Sequence, residues 1–216
     1  PLEAAATGIQ LQPGDVSYRC NMIALEDSDL PFEEKMILSH SGGSIEGDQS
    51  IQLVTDLFND PEFQAAAQKA GMVVHPAASF RHIAVQSGAN IVGIKLIPPH
   101  DHLGEVIGPL LPSGNDNAEV LKDLMKLAHK VLDHHPINEK RRAEGKLPAN
   151  GIWLWAEGKA AKLPSLQERY GKSGAVVAAV PVVKGLGAMC GLDMVDVEGA
   201  NGEIDTNIEG KAEAAW

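Results

Sequence analysis

Apolar and polar positions alternate over Val16 to Leu25 and Lys35 to His40, so both runs read as half-buried strands, the second ending at the turn signal Ser41-Gly42-Gly43. The two are expected to pair as antiparallel neighbours. A helix is predicted to start at Asp60, whose carboxylate can accept the free amide protons of a first turn opened by Pro61, and to stop at Gly71. Strands are predicted at Met72 to His75, Arg81 to Ser87 and Ile91 to Ile97, the last two joined through Gly88-Ala89-Asn90 as a hairpin. Asp116-Asn117-Ala118-Glu119 has the form of a capping box, and Val120, Leu121, Leu124, Leu127, Ala128 and Val131 follow at helical spacing as far as Pro136.

Beyond Pro148-Ala149-Asn150 the pattern changes. Ile152 to Ala156 and Ala175 to Val180 are apolar on both faces, as in strands covered on both sides. Pro181 opens a helix at its first position, and Met194 to Val197 would supply the returning strand of a βαβ unit. The expected fold class is α+β, with a mixed sheet and helices over residues 1–149, followed by a partial α/β segment over 150–216. Two or three parallel strands rarely stand as a domain alone.

Composition narrows the function classes. The 216 residues are 44% apolar and 22% charged, a globular balance, with only 4% aromatic residues to offer a base-stacking surface. Eighteen basic against 29 acidic residues give a net charge of -11, which excludes general nucleic-acid binding. Residues 193–216 carry seven acids (Asp193, Asp196, Glu198, Glu203, Asp205, Glu209, Glu213) against Lys211, a solvated acidic face without calcium-loop spacing. No run is long and apolar enough for a spanning helix, the first residues do not form a signal peptide, and Cys20 and Cys190 make no disulfide framework. A cytoplasmic protein without membrane or nucleic-acid partners is expected, and a start at proline is read as an excision from something longer.

Most candidate chemistry has an ordinary reading. Gly185, Gly187 and Gly191 lack dinucleotide spacing and fall inside a helix, where close packing explains them. His100-Asp101-His102 offers metal-ligand types in a loop after Pro98-Pro99, but no third histidine or cysteine is nearby. His134-His135 suits a helix C-terminus. Ser39-His40-Ser41 and Ser79-Phe80-Arg81-His82 hold nucleophile and base types whose neighbours point to opposite strand faces, and the cysteines read as packing residues. Arginine is scarce: Arg19, Arg81, Arg141, Arg142 and Arg169 are all there are. Arg19 and Arg81 lie in apolar strands, where a guanidinium needs an anion, either an internal carboxylate or a small carboxylate or phosphate ligand. They are expected to converge.

Arg19-Cys20-Asn21, Phe80-Arg81-His82, Pro98-Pro99-His100-Asp101, the run His135 to Arg142, Pro148 to Trp155, Lys162-Leu163-Pro164-Ser165 and Asp205 to Ala212 occur in that order. Together they resemble the archaeal-type 2,3-bisphosphoglycerate-independent phosphoglycerate mutases. The resemblance implies the alkaline phosphatase superfamily, in which a two-metal α/β core carries a serine nucleophile and an inserted α+β domain caps it. It implies interconversion of 3-phosphoglycerate and 2-phosphoglycerate through a phosphoserine enzyme. On this reading residues 1–149 are the inserted substrate-orienting domain and 150–216 a partial segment returning to the core. The resemblance assigns substrate binding to Arg19, Asn21, Arg81, Arg141, Arg142 and Lys184, the two adjacent arginines as a basic loop. It places the catalytic serine and two divalent ions (Mn, Mg or Zn) in the remainder of the parent enzyme, so none is expected on this chain, which alone is expected to be inactive. A homoserine kinase-like phosphotransferase and a non-catalytic small-anion-binding module stay open as alternatives.

Overall fold

In the computed structural model, which describes residues 1–45, 47–161, 163–201 and 203–215, the alternating run becomes β1 (Asp15–Leu25), the spine of a five-stranded sheet. β2 (Ile37–Ser39) pairs antiparallel with its end, as expected, placing Ala24 opposite Ser39. β4 (Arg81–Ser87) runs antiparallel along the rest, from Asp15 opposite Ser87 to Asn21 opposite Arg81, and β3 (Met72–His75) pairs antiparallel with β4. β5 (Gly151–Lys159) also pairs with β1. The period of two gives this sheet unlike faces. Val16, Tyr18, Cys20 and Met22 point one way and are fully buried, whereas Asp15, Ser17, Arg19 and Asn21 point the other.

Helices α2 (Gly47–Asn59), α3 (Pro61–Lys69) and α4 (Asp116–Leu132) serve the apolar face. Tyr18 marks it: its hydroxyl donates to Gln86 (2.9 Å) and accepts from Asn117 of α4 (3.2 Å). Leu53, Leu57, Phe63, Leu121 and Ala128 are buried in one core with Val16, Tyr18 and Cys20, each large side chain stabilising the fold by about 1.5–3 kcal/mol. Asp60 caps α3 as predicted, accepting from the amides of Glu62 and Phe63. The cap of α4 is Asn115, one residue before the expected capping box.

Several expectations change. Ile91 to Ile97 is not a strand hairpinned to β4, because β1 and β3 already occupy both edges of β4; only Lys95 bridges to Ser113. Pro136 does not end the helical region but opens α5 (Pro136–Ala143), with His135 as its cap, so the basic stretch read as a loop is helical. Pro148-Ala149-Asn150 is no linker either. Ala149 and Asn150 are fully buried, and β5 after them belongs to the same sheet as β1. The two compact units are Gly14–Gly158, and Pro1–Pro13 together with Lys159–Trp216. The division expected at 149/150 thus falls at 158/159, and the first thirteen residues join the second unit.

In that second unit β6 (Ala175–Val176), α7 (Pro181–Met189) and β7 (Asp193–Met194) form the anticipated parallel βαβ unit, with much shorter strands than the apolar runs suggest. It also holds α1 (Leu2–Ala6), α6 (Leu166–Tyr170) and α8 (Ile208–Ala214). Lys162 lies outside the described residues. The helix glycines serve close packing: a Cβ on Gly185 would stand 1.7 Å from the carbonyl oxygen of Leu2, and one on Gly187 2.6 Å from a methyl of Val176. Gly185→Ala should therefore force α1 off α7, destabilising this unit by about 1–3 kcal/mol or more. Protease cleavage within residues 1–13 should become markedly faster in the variant, and an unchanged rate would show that the contact is dispensable. Among the described residues no helix is long and apolar enough to cross a membrane.

Candidate functional site

The polar face of the sheet brings together two of the five arginines. Arg19 stands opposite Ile83 and Arg81 opposite Asn21, so the two arginines share this face as diagonal neighbours on adjacent strands, about 7–8 Å apart at the backbone. Each is held by a ring: the Arg19 guanidinium lies 4.7 Å from the Trp155 centroid and that of Arg81 5.3 Å from Phe80. Stacking grips a guanidinium by its face, whereas its five donors lie in its plane, in the fork geometry that matches a carboxylate or phosphate.

Two histidines complete the ring of side chains. His100, in the 3-10 turn Pro99–Asp101, packs 5.3 Å from Trp155, and His40 lies 6.1 Å from His100 and 5.8 Å, edge-on, from Phe80. Asn21, fully buried, ties the cluster together: its amide donates to the His40 carbonyl (2.9 Å) and accepts from the Trp155 indole (3.1 Å). Both ends of the Asn21 amide are thus engaged in positioning. Burial, followed by His100 and then Arg81, pushes His40 below the ordinary histidine range.

The remaining arginines play another part. Arg141 is buried, and its guanidinium donates to the carbonyls of Leu147 (2.9 Å), Gly42 (2.8 Å) and Gly43 (3.3 Å). Gly42, Gly43 and Ser44 all have positive φ, and Ser39 accepts from the Gly43 amide (3.0 Å). Arg141 therefore clamps the turn that follows His40. Arg142 is paired with Asp133, Asp27 and Glu139. Neither is brought to the Arg19–Arg81 cluster through these contacts. Lys184 belongs to the second unit, where it pairs with Asp196 at 2.6 Å.

Other residue types with catalytic potential are spent on structure. Ser50 and His82 form a buried pair that the sequence pattern did not reveal, 3.1 Å from Oγ to Nε2. His82 Nδ1 accepts from the Ala77 amide, so the proton of the neutral ring sits on Nε2 and faces Ser50, which itself donates to the Ser79 carbonyl. That tautomer cannot remove a proton from Ser50, and burial holds His82 neutral by pushing its pKa down to about 4. Burial likewise raises Cys20 to about 12, leaving it an inert thiol. His135 caps α5 and meets Asp56 at 3.1 Å, a helix N-terminal role in place of the C-terminal one expected. Among the described residues no group of three or more His, Cys, Asp or Glu side chains is arranged to hold a metal ion. His102 turns instead to Glu105 at 3.1 Å.

Of the remaining site residues, His40 and His100 are weighed by residue type as a base and a metal ligand and set aside, and Phe80 and Trp155 are not singled out by type. Phe80, His100 and Trp155 stand in the tracts that carry the resemblance; His40 does not, and only the fold brings it in.

Comparison with known proteins places this geometry in context. Residues 1–138 match the family described as 2,3-bisphosphoglycerate-independent phosphoglycerate mutase. The enzyme of that name from Methanosarcina acetivorans is 41% identical over 215 residues, covering 100% of this chain and 51% of the relative. A probable enzyme of the same name from Geobacter sulfurreducens is 40% identical, with 51% of its length covered. Among solved structures, the cofactor-independent phosphoglycerate mutase from Thermoplasma acidophilum superposes with a TM-score of 0.59 at 26% identity, over 100% of this chain and 55% of that one. The chain spans about half the length of the curated relatives it matches.

Proposed function

The chain belongs to the 2,3-bisphosphoglycerate-independent phosphoglycerate mutase family, and from that premise we propose that it is the substrate-orienting part of an enzyme interconverting 3-phosphoglycerate and 2-phosphoglycerate. The unit Gly14–Gly158 acts as the inserted cap, and the unit formed by Pro1–Pro13 and Lys159–Trp216 as part of the core into which it is inserted. The observation that carries this reading is the pairing of Arg19 and Arg81 on one sheet face of a chain with net charge -11. There the two forks bind the carboxylate of the glycerate, with His40 and His100 beside them. Asn21 positions this set; Arg141 and Arg142 support it by holding the turn after His40 and the α5 region. Lys184, in the other unit, is kept as a phosphoryl-binding residue on the resemblance alone.

Phosphoryl transfer through a serine, and the two divalent ions that would activate it, belong to the remainder of the enzyme. The chemistry proposed for the cluster around Arg19 and Arg81 is to bind and orient.

Titrating the chain with 3-phosphoglycerate tests the proposal. Saturable binding with a dissociation constant of about 1 mM is expected, corresponding to about 4 kcal/mol, because the chain spans about half the length of its relatives. Turnover should be absent with or without manganese or magnesium. Lack of binding at tens of millimolar would overturn the site, and turnover by this chain alone would overturn the division of labour.

A further inference from the structure

Among the described residues, the buried Nδ1 of His40 meets no hydrogen-bond partner. Buried nitrogen atoms of this kind are rarely left unsatisfied without a ligand or water to meet them. The groups around the ring explain why the protein itself supplies none. From the segment leading into β4 come the Phe80 ring and the Arg81 cation; from the 3-10 turn comes His100; β1 contributes Asn21, which holds the His40 carbonyl. The carboxylate beside His100, that of Asp101 at 3.7 Å, is exposed. His40 thus faces a cation, a second imidazole and an aromatic edge, a setting that disfavours a positive charge on its ring.

We propose that His40 is a proton-coupled ligand of this face: when an oxyanion settles between Arg19 and Arg81, the imidazole takes a proton from solvent and donates it as a hydrogen bond to the anion. The step makes and breaks only N–H and O–H bonds, and the proton comes from the buffer. It deepens the substrate reading above and rests on it. The consequence is selectivity for ligands whose negative charge reaches His40 as well as the arginines, with tighter binding as pH falls toward 6.

Calorimetric titration of the 216-residue chain with 3-phosphoglycerate at about pH 6.5, in two buffers of different ionisation enthalpy, reads the proton directly. The ligand's phosphate titrates near pH 6 and contributes equally to every variant, so the quantity read is the difference between wild type and His40→Gln. The wild type should take up several tenths of a proton more than His40→Gln, and binding by the variant should weaken yet stay dependent on Arg81. Equal uptake by the two proteins overturns the inference while leaving the substrate site standing; absence of any binding overturns both. Should His40→Gln fail to fold, the His40 ring proton is followed by NMR in the wild type. Its titration midpoint should rise by about one unit or more on saturation with 3-phosphoglycerate, and a midpoint that stays or falls overturns the inference.

Discussion

Arg81→Ala should weaken 3-phosphoglycerate binding by about 10- to 100-fold while changing stability by less than about 1 kcal/mol. The binding loss follows from charge-assisted hydrogen bonds, which contribute roughly 1.5–3 kcal/mol each. The small stability change follows from position: Arg81 is the first residue of β4, half-buried, and lies against the ring of Phe80 and not in the core. Arg81→Lys should recover only part of the affinity, because an ammonium keeps the charge but neither stacks as a plane nor offers two parallel donors. Isothermal titration read beside denaturant unfolding separates the two quantities. A variant that binds as well as wild type would remove Arg81 from the site. One that loses several kcal/mol of stability would make it a structural ion.

The largest stability loss should come from Asn138→Ala, about 3–5 kcal/mol. Asn138 is fully buried on α5 and brackets Ala149, donating to its carbonyl (3.1 Å) and accepting from its amide (2.8 Å), while also donating to the carbonyl of Leu132 (2.8 Å). Truncation takes the partner from the buried amide and carbonyl of Ala149, each costing about 1–3 kcal/mol before relaxation, and opens a cavity besides, while the Leu132 carbonyl keeps the amide of His135 (3.1 Å). The midpoint of urea unfolding is the measurement; a shift equivalent to less than about 1 kcal/mol would show that the Ala149 segment is held by other means. The effect should reach the site, since the same segment leads directly into β5 and Trp155.

What was legible in the sequence follows the strength of local signals. β1, β3, β4, the cap of α3 and the long α4 stripe each had a periodicity or a capping residue of their own, and they stand close to where those signals put them. α2 was not legible because its buried stripe, Ser50, Leu53, Val54 and Leu57, opens on a serine whose partners are His82 and the Ser79 carbonyl, more than 25 positions away. Asn150 misled for a related reason: Pro-Ala-Asn-Gly has the composition of a linker, but the asparagine is consumed by the amide and carbonyl of Leu25. Arg19 and Arg81 were found by scarcity, and the register of β1 with β4 supplies their shared face. Arg141 was drawn to the substrate by the resemblance, and backbone carbonyls take donors of its guanidinium. A carbonyl leaves no trace in a sequence, so an arginine that meets one cannot be told beforehand from an arginine that meets a ligand.

The close approach of Gly185 to Leu2 sets an order of events during synthesis. α1 is made before the first unit but has its packing partner only when α7 has followed that unit. In that interval the whole of Gly14–Gly158 has been synthesised, and its sheet, dominated by antiparallel neighbours, can close with nothing from the second unit. The glycine that lets two helices touch therefore ties α1 to a partner that is made only after the whole of Gly14–Gly158, and α1 stays exposed until then.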